Sequence, residues 1–333
     1  MEIGFFYWPY TPELVERMAR AADAYGYDMI GIADTPGNAM DPWVATAMTA
    51  QIVKKSRIAL CVTNLESRHP SVSAASIASI DLLTKRPSVL GIGAGHSGTK
   101  NLGIGNTSVD GMERGVTFMR ELLTGAPARL GDAEAHLPWV KRPSSVYIAA
   151  SGPRTLRMSG TTADGTFVNF GIKTENMTQS EGTVLEGLKA AGRDPSDHEM
   201  WQVAALDCNA NGDAARNRVG AILAFMAAGY ILGRGDLQTK GVPEELHGPL
   251  LELRKLYSTR PGDGDAELVS RLGLFDYLTE RFAIYGTPEQ CLDQLERARD
   301  AGLKRVIFTV SVASNPAGTV ELFGKEVLPR FRG

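Results

Sequence analysis

Short apolar runs rich in β-branched and aromatic residues recur along the chain, and a segment with helical spacing follows each of them. In the first helical segment the apolar positions form one stripe with a 3.6-residue period: Leu14, Met18, Ala21, Ala22 and Tyr25. Such a stripe packs on a sheet. The pattern predicts eight strands, over residues 2–8, 28–34, 57–64, 88–95, 145–151, 165–171, 201–209 and 305–311.

Several helical segments begin with a capping residue followed by proline. This pair occurs at Thr11-Pro12, at Asp41-Pro42 and at Thr287-Pro288. Proline at the first helical position loses no hydrogen bond, and the preceding side chain satisfies a free backbone amide. Eight strands with intervening helices predict a (β/α)8 barrel, or TIM barrel, because each parallel strand needs a crossover helix to cover it.

Two segments interrupt this rhythm. Residues 126–144 form a short, turn-rich insertion after the fourth helix, and residues 234–283 form a larger helical insertion between strands seven and eight. We expect a single α/β domain over residues 1–333, in which the segment 234–283 is a lid or a subunit contact and not a separate domain.

Composition narrows the class of protein. The formal net charge of −3 gives no reason to expect a nucleic acid partner. The sequence has neither a signal peptide pattern nor an apolar run long enough to span a bilayer, so we expect a cytoplasmic protein with no membrane association. Three widely spaced cysteines fit neither a disulfide framework nor a zinc cluster, and five scattered histidines do not predict a metal site.

The stretch GAGHSG at residues 93–98 matches the G-x-G-x-x-G pattern of a dinucleotide-binding turn. That turn opens a helix directly, whereas this chain continues with TKNLGIGNTSVDG before any helical pattern begins. A phosphate-binding P-loop fails as well, because Asn101 follows Lys100 where serine or threonine is required. In a barrel, the same glycines lie at the carboxyl end of strand four, where we expect them to let a flat ligand approach the backbone.

Active sites of such barrels lie at the carboxyl ends of the strands. The residues predicted there are Tyr7, Trp8, Asp34, Thr35, Cys61, Val62, Thr63, Asn64, Gly93, Ala94, Gly95, His96, Ser97, Ser151, Gly152, Asn169, Gly171, Asp207, Thr309 and Ser311. The set contains no paired catalytic carboxylates and no nucleophile elbow. A rim of glycine, hydroxyl and amide residues indicates that a bound cofactor supplies the reactivity.

The turn after strand five is the candidate phosphate site. Ser151-Gly152-Pro153 leads into a helix, whose free amides and positive dipole end favour an anion, and Arg154 is adjacent. An ordinary capped helix start explains the same residues, and the sequence does not separate the two interpretations.

Three motifs in order carry a family resemblance: CVTNLESRHPSVSAASIASIDLLTKRPSVLGIGAGHSG, VYIAASGPRTLRMSGTTADGTFVNFG and FAIYGTPEQCLDQLERARDAGLKRVIF. The chain resembles the bacterial luciferase-like superfamily, in the branch of flavin- or deazaflavin-dependent oxidoreductases similar to methylenetetrahydromethanopterin reductase. The resemblance spans nearly the whole chain with gaps at the two insertions. It implies a TIM barrel with an isoalloxazine ring in its mouth.

The resemblance also implies roles for individual residues. A cis peptide bond at Cys61-Val62 or Val62-Thr63 would support the ring from behind, with Cys61 as an inert backstop, and the turn at 150–152 would hold the phosphate. The cofactor-binding residues are then Tyr7, Cys61, Val62, Thr63, Gly93, Ala94, Gly95, Ala150, Ser151, Gly152, Asn169, Phe170 and Gly171.

Two departures from the family pattern matter. Many deazaflavin-dependent members have histidine after the strand-two aspartate, where this chain has Thr35, which weakens the deazaflavin interpretation. Relatives often have aspartate at the position of His96. We predict His96, Asp34 and Asn64 as catalytic residues, since histidine exchanges protons near neutral pH. A capping or packing role for His96 is the alternative.

Trp8, Thr35 and Arg68 are predicted to contact the substrate, although Arg68 is equally suited to bracing its loop. The leading hypothesis is a monooxygenase that uses reduced FMN and oxygen on a small organic substrate, with a separate flavin reductase as partner. The alternatives are a deazaflavin-dependent reductase or dehydrogenase that transfers a hydride without oxygen, and an inactive flavin-binding barrel. We also expect a homodimer or higher homo-oligomer.

Overall fold

Eight parallel strands close into a barrel in the computed structural model, which describes residues 1–141, 144–233, 236–258 and 266–333. The strands are β1 (Glu2–Tyr7), β2 (Met29–Ile32), β3 (Arg57–Thr63), β4 (Val89–Ile92), β5 (Ala128–Leu130), β6 (Ala133–Ala135), β7 (Ser145–Ala150), β8 (Gly165–Val168), β9 (Glu199–Cys208), β10 (Ala283–Gly286) and β11 (Arg305–Thr309). The ring order is β1-β2-β3-β4-β7-β8-β9-β11 and back to β1. All eight predicted strands belong to this ring, so the predicted TIM barrel is confirmed.

The α-helices cover the outside of the ring. They are α1 (Pro12–Ala24), α2 (Pro42–Ile52), α3 (Pro70–Thr84), α4 (Ser97–Lys100), α5 (Val109–Leu122), α6 (Pro153–Thr162), α7 (Thr174–Ala190), α8 (Gly212–Met226), α9 (His247–Leu256), α10 (Leu268–Arg271), α11 (Phe275–Phe282), α12 (Pro288–Asp300), α13 (Pro316–Glu326) and α14 (Leu328–Arg332). A π-helix (Ala227–Ile231) extends α8, and short 3-10 turns lie at Pro195–Asp197, Gln238–Lys240 and Glu244–Leu246.

The predicted helix starts have their caps. Thr11 Oγ1 accepts from the amide of Leu14 at 3.2 Å, and Asp41 Oδ1 accepts from that of Trp43 at 2.9 Å. Thr287 and Gln290 form a reciprocal capping box at the start of α12. Each cap fixes where a helix leaves the end of its loop.

Strands β5, β6 and β10 were not predicted from the sequence. Residues Ala128–Leu130 and Ala133–Ala135 pair as a hairpin inside the first insertion, whose residues 142 and 143 lie outside the described part. Strand β10 pairs in parallel with the carboxyl half of β9, from Ala283 opposite Ala205 to Gly286 opposite Cys208. These strands have three or four residues each, too few for a period-two pattern to stand out.

The described part of the insertion 234–283 contains α9, α10, α11 and two of the 3-10 turns, in agreement with its predicted helical character. Leu250 and Leu253 of α9 are fully buried. Residues 234–235 and 259–265, including most of the predicted STRPGDGD loop, lie outside the described residues. The role of this insertion as a lid or a subunit contact stays a prediction.

Candidate active site

The carboxyl ends of the strands surround a cavity of about 920 Å³, including its solvent-filled opening. Predicted site residues that line it are Trp8, Asp34, Thr35, Cys61, Val62, Thr63, Asn64, Gly93, Ala94, Gly95, His96, Ser97, Ser151 and Asn169. Seven of the eight barrel strands lead into these walls. The barrel therefore gathers residues that are up to 161 positions apart in the sequence, from Trp8 to Asn169.

Tyr7, Ala150 and Phe170 do not line this cavity. Successive side chains of a strand point to opposite faces, so Phe6 and Trp8 face the cavity while Tyr7 is buried on the helix side. The same alternation turns Ala149 and Asn169 inward and their neighbours outward. The assignment of the Tyr7 ring to the cofactor pocket was therefore off by one residue.

Phe170 and Gly171 form part of the packing around a buried arginine. Arg281 Nε donates to the carbonyl oxygen of Phe170 at 3.0 Å, and its guanidinium lies 5.2 Å from the centre of the Phe170 ring. Gly171 has φ of +120°, and a Cβ there would lie 2.8 Å from Arg281 Cγ. Glycine is needed at this position by the protein itself.

Arg68 also lies outside the cavity lining. Its Nη2 donates to Asp41 Oδ2 at 2.6 Å, while the other oxygen of Asp41 caps α2. The bracing alternative describes what Arg68 does in this structure. Asp207, predicted at the barrel mouth, does not line the cavity either. It is fully buried beside Arg218 of α8, and the distance between Arg218 Nε and Asp207 Oδ2 is 3.1 Å.

Gly152 is the N-cap of α6 and does not line the cavity. The amide of Gly152 donates to Thr155 Oγ1 at 3.4 Å, and Arg154 pairs with Asp110 at 2.7 Å on the surface. These contacts fit an ordinary capped helix start. The adjacent Ser151 lines the cavity, and a phosphate role for this turn stays a prediction.

A cis peptide bond joins Cys61 and Val62, at one of the two predicted positions. It lies where the β3–β4 register shifts between Leu60 and Thr63. Burial raises the pKa of the Cys61 thiol well above its usual range, so the thiol stays protonated and inert. This agrees with a backstop and not a nucleophile.

The glycines of the 93–98 stretch accommodate protein atoms. A Cβ on Gly93 would lie 2.8 Å from Val62 Cγ2, and one on Gly98 would lie 2.7 Å from the carbonyl oxygen of Asp34. Gly95 has φ of +89°, a conformation that favours glycine. A side chain at Gly93 or Gly98 would therefore collide with the bulge or with Asp34, although both glycines still line the cavity.

Asp34 is the cavity's buried carboxyl, with 6% of its surface exposed. Thr63 Oγ1 donates to Oδ2 at 2.6 Å, while Oδ1 has no hydrogen-bond partner among the described residues. Burial raises the pKa of Asp34, and the hydrogen bond from Thr63 only partly opposes that effect. An unsatisfied buried oxygen at a cavity wall is suited to a ligand group.

His96 lines the cavity beside Phe225, with ring centres 6.4 Å apart. It precedes α4 without a side-chain capping bond, so the structure does not support the capping alternative. Burial and the nearby Lys100 lower the pKa of His96 to about 4. The imidazole is therefore neutral at pH 7 and can donate or accept a hydrogen bond, but is a poor proton donor there.

The side-chain oxygen of Asn64 is used locally. It accepts from the amides of Glu66 and Ser67 at 3.0 and 2.9 Å, which makes an Asx turn after β3. Only the amide nitrogen is left to face a ligand. A hydrogen-bonding role for that nitrogen stays a prediction.

Part of the cavity wall was not predicted from the sequence. Phe225, Gly229 and Tyr230 line the cavity from the end of α8 and from the π-helix. Single-turn π-helices occur mostly as insertions in α-helices, often at functional sites. The available signal was the aromatic-rich run FMAAGYI directly before the predicted insertion.

The described residues offer neither a metal site nor a helix that could span a membrane. They contain no group of three or more histidine, cysteine or acidic side chains placed to hold a metal ion. Among the helices of those residues, none is both long and apolar enough to cross a bilayer.

Comparison with known proteins gives a consistent set of relatives. A model of the family described as luciferase-like monooxygenase matches residues 9–305. The 5,10-methylenetetrahydromethanopterin reductase of Methanolobus tindarius is 23% identical over 98% of this chain and 100% of that protein. The coenzyme F420-dependent tetrahydromethanopterin reductase of Methanopyrus kandleri superposes with a TM-score of 0.78 at 21% identity, over 100% of both chains. An F420-dependent secondary alcohol dehydrogenase, solved with an F420-acetone adduct, gives a TM-score of 0.72 at 19% identity, over 100% of this chain and 99% of that one.

Proposed function

Since the chain belongs to the luciferase-like monooxygenase family, we propose that it is a deazaflavin-dependent oxidoreductase that uses coenzyme F420 to transfer a hydride to or from a small organic substrate. The observation that carries the proposal is the end-to-end similarity to methylenetetrahydromethanopterin reductase, with 98% of one chain aligned to 100% of the other. The two F420-dependent enzymes with the same fold support it. The proposal replaces the FMN monooxygenase as the leading hypothesis.

The cavity fits the head group of such a cofactor. The bulge at Cys61-Val62 and the ring of Tyr230 both line it. Asp34 Oδ1 is buried at the same cavity and is without a partner in the described part of the chain. A planar ring system with hydrogen-bonding edges suits a cavity that combines aromatic and apolar side chains with polar groups.

We assign the ring to the bulge formed by Cys61, Val62 and Thr63 and to the turn of Gly93, Ala94 and Gly95. Ser151 and Asn169 lie further around the same cavity and are the proposed contacts of the phosphate-bearing chain. When bound, F420 supplies a two-electron carrier that reacts little with oxygen.

The protein's own groups would orient the substrate and manage a proton. Asp34 holds a proton more tightly than an exposed aspartate, because its site is buried. The neutral His96 offers a hydrogen bond from the same cavity. Trp8, Phe225 and Tyr230 surround these groups with aromatic surface and exclude water.

An FMN-dependent monooxygenase is the second candidate, and Thr35 favours it. Many deazaflavin-dependent relatives have a histidine at the position of Thr35. Here the Thr35 hydroxyl lies 3.2 Å from the Ser97 hydroxyl. A separate flavin reductase would be needed only in this case. A homodimer is compatible with either function and stays a prediction.

The test is binding of each cofactor to the purified protein, followed by turnover with and without oxygen. We expect F420 to bind at least about tenfold more tightly than FMN, a difference of about 1.4 kcal/mol. We also expect oxidation of reduced F420 by a panel of carbonyl and imine compounds under nitrogen. Selective binding of FMN with substrate-dependent oxygen uptake would establish the monooxygenase instead, and failure to bind either cofactor would contradict both.

A further inference from the structure

A buried lysine lies directly behind the cavity wall. Lys240 is 1% exposed, and within the described ranges it forms no ion pair with a carboxylate. Its Nζ donates to the carbonyl oxygens of Tyr230 at 3.1 Å and Ile231 at 2.9 Å. Tyr230 and Ile231 are the last two residues of the π-helix. Carbonyl groups at a helix end have no partner among the amides of the helix itself.

Arg281 extends this contact to a second segment beside the cavity. It is also 1% exposed, and its Nη2 donates to the carbonyl oxygen of Lys240 at 2.7 Å. Its Nε donates to the carbonyl oxygen of Phe170, which follows the cavity-lining residue Asn169. We call Lys240 and Arg281 the cationic link. The link joins Tyr230 to Phe170, which are 60 residues apart in sequence. Local backbone hydrogen bonds do not span such a separation.

The link is costly unless it has a purpose beyond packing. Buried ammonium and guanidinium groups lose hydration, and an apolar side chain of similar length would avoid that loss. Both cations bond mainly to backbone carbonyls, so what they fix is the position of the main chain. The main chain fixed by Lys240 carries Gly229 and Tyr230, which line the cavity.

The fixed wall also meets the histidine of the site. A Cβ on Gly229 would lie 3.7 Å from the ring of His96. A shift of the π-helix would therefore change the space beside His96.

We propose that Lys240 is a positioning residue, which holds the π-helix, and with it Gly229 and Tyr230 of the cavity wall, in the position that cofactor binding requires. Its effect on the wall is independent of which cofactor binds. Its effect on affinity rests on the proposed function.

A pH dependence follows from the surroundings of Lys240. Among the described residues, the charged group that faces it is Arg281 of α11. Tyr230 and Ile231 of the π-helix face it with their carbonyl oxygens. Burial and Arg281 lower the pKa of Lys240 to about 8. Above that pH the neutral amine makes weaker hydrogen bonds than the ammonium does, so the wall loosens.

The experiment compares the wild-type protein with Lys240→Met and, as a matched control, Lys173→Met. Lys173 is a partly exposed lysine that pairs with Glu175 and Glu280 away from the cavity lining. Hydrogen exchange of the amides in residues 227–232 is measured without cofactor, and F420 and FMN affinities are measured by fluorescence from pH 6.5 to 9.5. Lys240→Gln, which keeps an N–H donor, serves if Lys240→Met does not fold.

We expect faster exchange in the π-helix of Lys240→Met only, and a loss of affinity of about tenfold for whichever cofactor the wild type binds, as one charge-assisted hydrogen bond is worth. The wild-type affinity should fall above pH 8, and the fall should be absent in Lys240→Met. Unchanged exchange, or faster exchange with unchanged affinity and pH profile, would overturn the positioning role. Faster exchange in a protein that binds neither cofactor would refute the proposed function and leave the role of Lys240 in the wall standing.

Discussion

At the amino-terminal end of the barrel, Arg57 donates to Glu199 at 2.9 Å and to the hydroxyl of Tyr147 at 3.2 Å. At the carboxyl-terminal end, Asp34 keeps one carboxyl oxygen without a hydrogen-bond partner in the described residues. Both ends bury charged or chargeable groups. The first end satisfies them with protein partners, whereas the second leaves hydrogen-bonding capacity that a ligand can use.

Two histidines repeat this contrast. Burial lowers the pKa of His198, near the amino end, and of His96, in the mouth, to about 4. The ring nitrogens of His198 bond Thr166 Oγ1 at 2.8 Å and the carbonyl of Ala163 at 3.1 Å. For His96 the described part of the protein supplies no such bond. Burial thus lowers both pKa values. The ring nitrogens of His198 are used within the protein, whereas those of His96 are available to a ligand.

The largest expected effect comes from Asp34→Asn. Turnover with the substrate found in the cofactor screen should fall about 100-fold, since the variant cannot exchange the proton that Asp34 holds. The control is Asp207→Asn, which alters another buried carboxyl that pairs with Arg218 and does not line the cavity. Steady-state kinetics decide the matter. Full turnover by Asp34→Asn would remove Asp34 from the chemistry.

Arg57→Met should weaken the closed end without affecting the mouth. We expect the free energy of unfolding to drop by about 1–2 kcal/mol, because Glu199 loses its partner in a site that is only partly screened by solvent. Urea denaturation measures the drop, and cofactor affinity should stay unchanged. In the exposed pair of Arg157 and Glu186, Arg157→Met should cost less. Equal losses in the two variants would contradict the proposed difference between the barrel end and the surface.

Thr63→Val removes the hydrogen bond that the Asp34 carboxyl accepts from the Thr63 hydroxyl. That bond favours the carboxylate, so its loss should raise the pKa of Asp34 further, by about tenfold in proton affinity. Because the folded pKa is already raised, folding stability falls as pH rises from the unfolded value of 3.8 through the folded one, and the variant should extend this window upward. The carboxylic acid band in the infrared spectrum, followed against pH, reports the shift. An unchanged band would show that Thr63 does not control this proton.

At pH 7 the two histidines should have the smallest effect on folding stability. Their effect appears in acid, as a slope of stability against pH. Their folded pKa values lie below the unfolded value of 6.5, so the unfolded chain binds more protons and stability is lost as pH falls from about 6.5 to about 4. His96→Gln should reduce the stability lost over that window by about 2–3 kcal/mol. Nuclear magnetic resonance titration should show cofactor shifting the midpoint of His96 but not that of His198. Equal shifts of both midpoints would argue against the contrast between the two ends.

The sequence predicted the site best where a residue's place along a strand determined its direction. The repeated strands and proline caps predicted the barrel, and the barrel placed Asp34, Thr63 and His96 at one rim. Successive side chains of a strand point to opposite faces, but an all-apolar strand such as β1 does not show which set faces the cavity. For this reason Tyr7 was placed in the pocket and Phe6 was missed.

Contacts between distant segments were beyond the sequence. Nothing near Arg68 in the chain separates bracing from ligand binding, and only the structure shows its bond to Asp41. The π-helix wall and the bond from Lys240 to its carbonyls depend on packing between α8 and the insertion. Local patterns of hydropathy and caps act over a few residues and so are readable from the sequence. The tertiary structure decides which buried polar groups have hydrogen-bond partners. Each such bond joins residues that are far apart in the chain, and no local sequence pattern relates them.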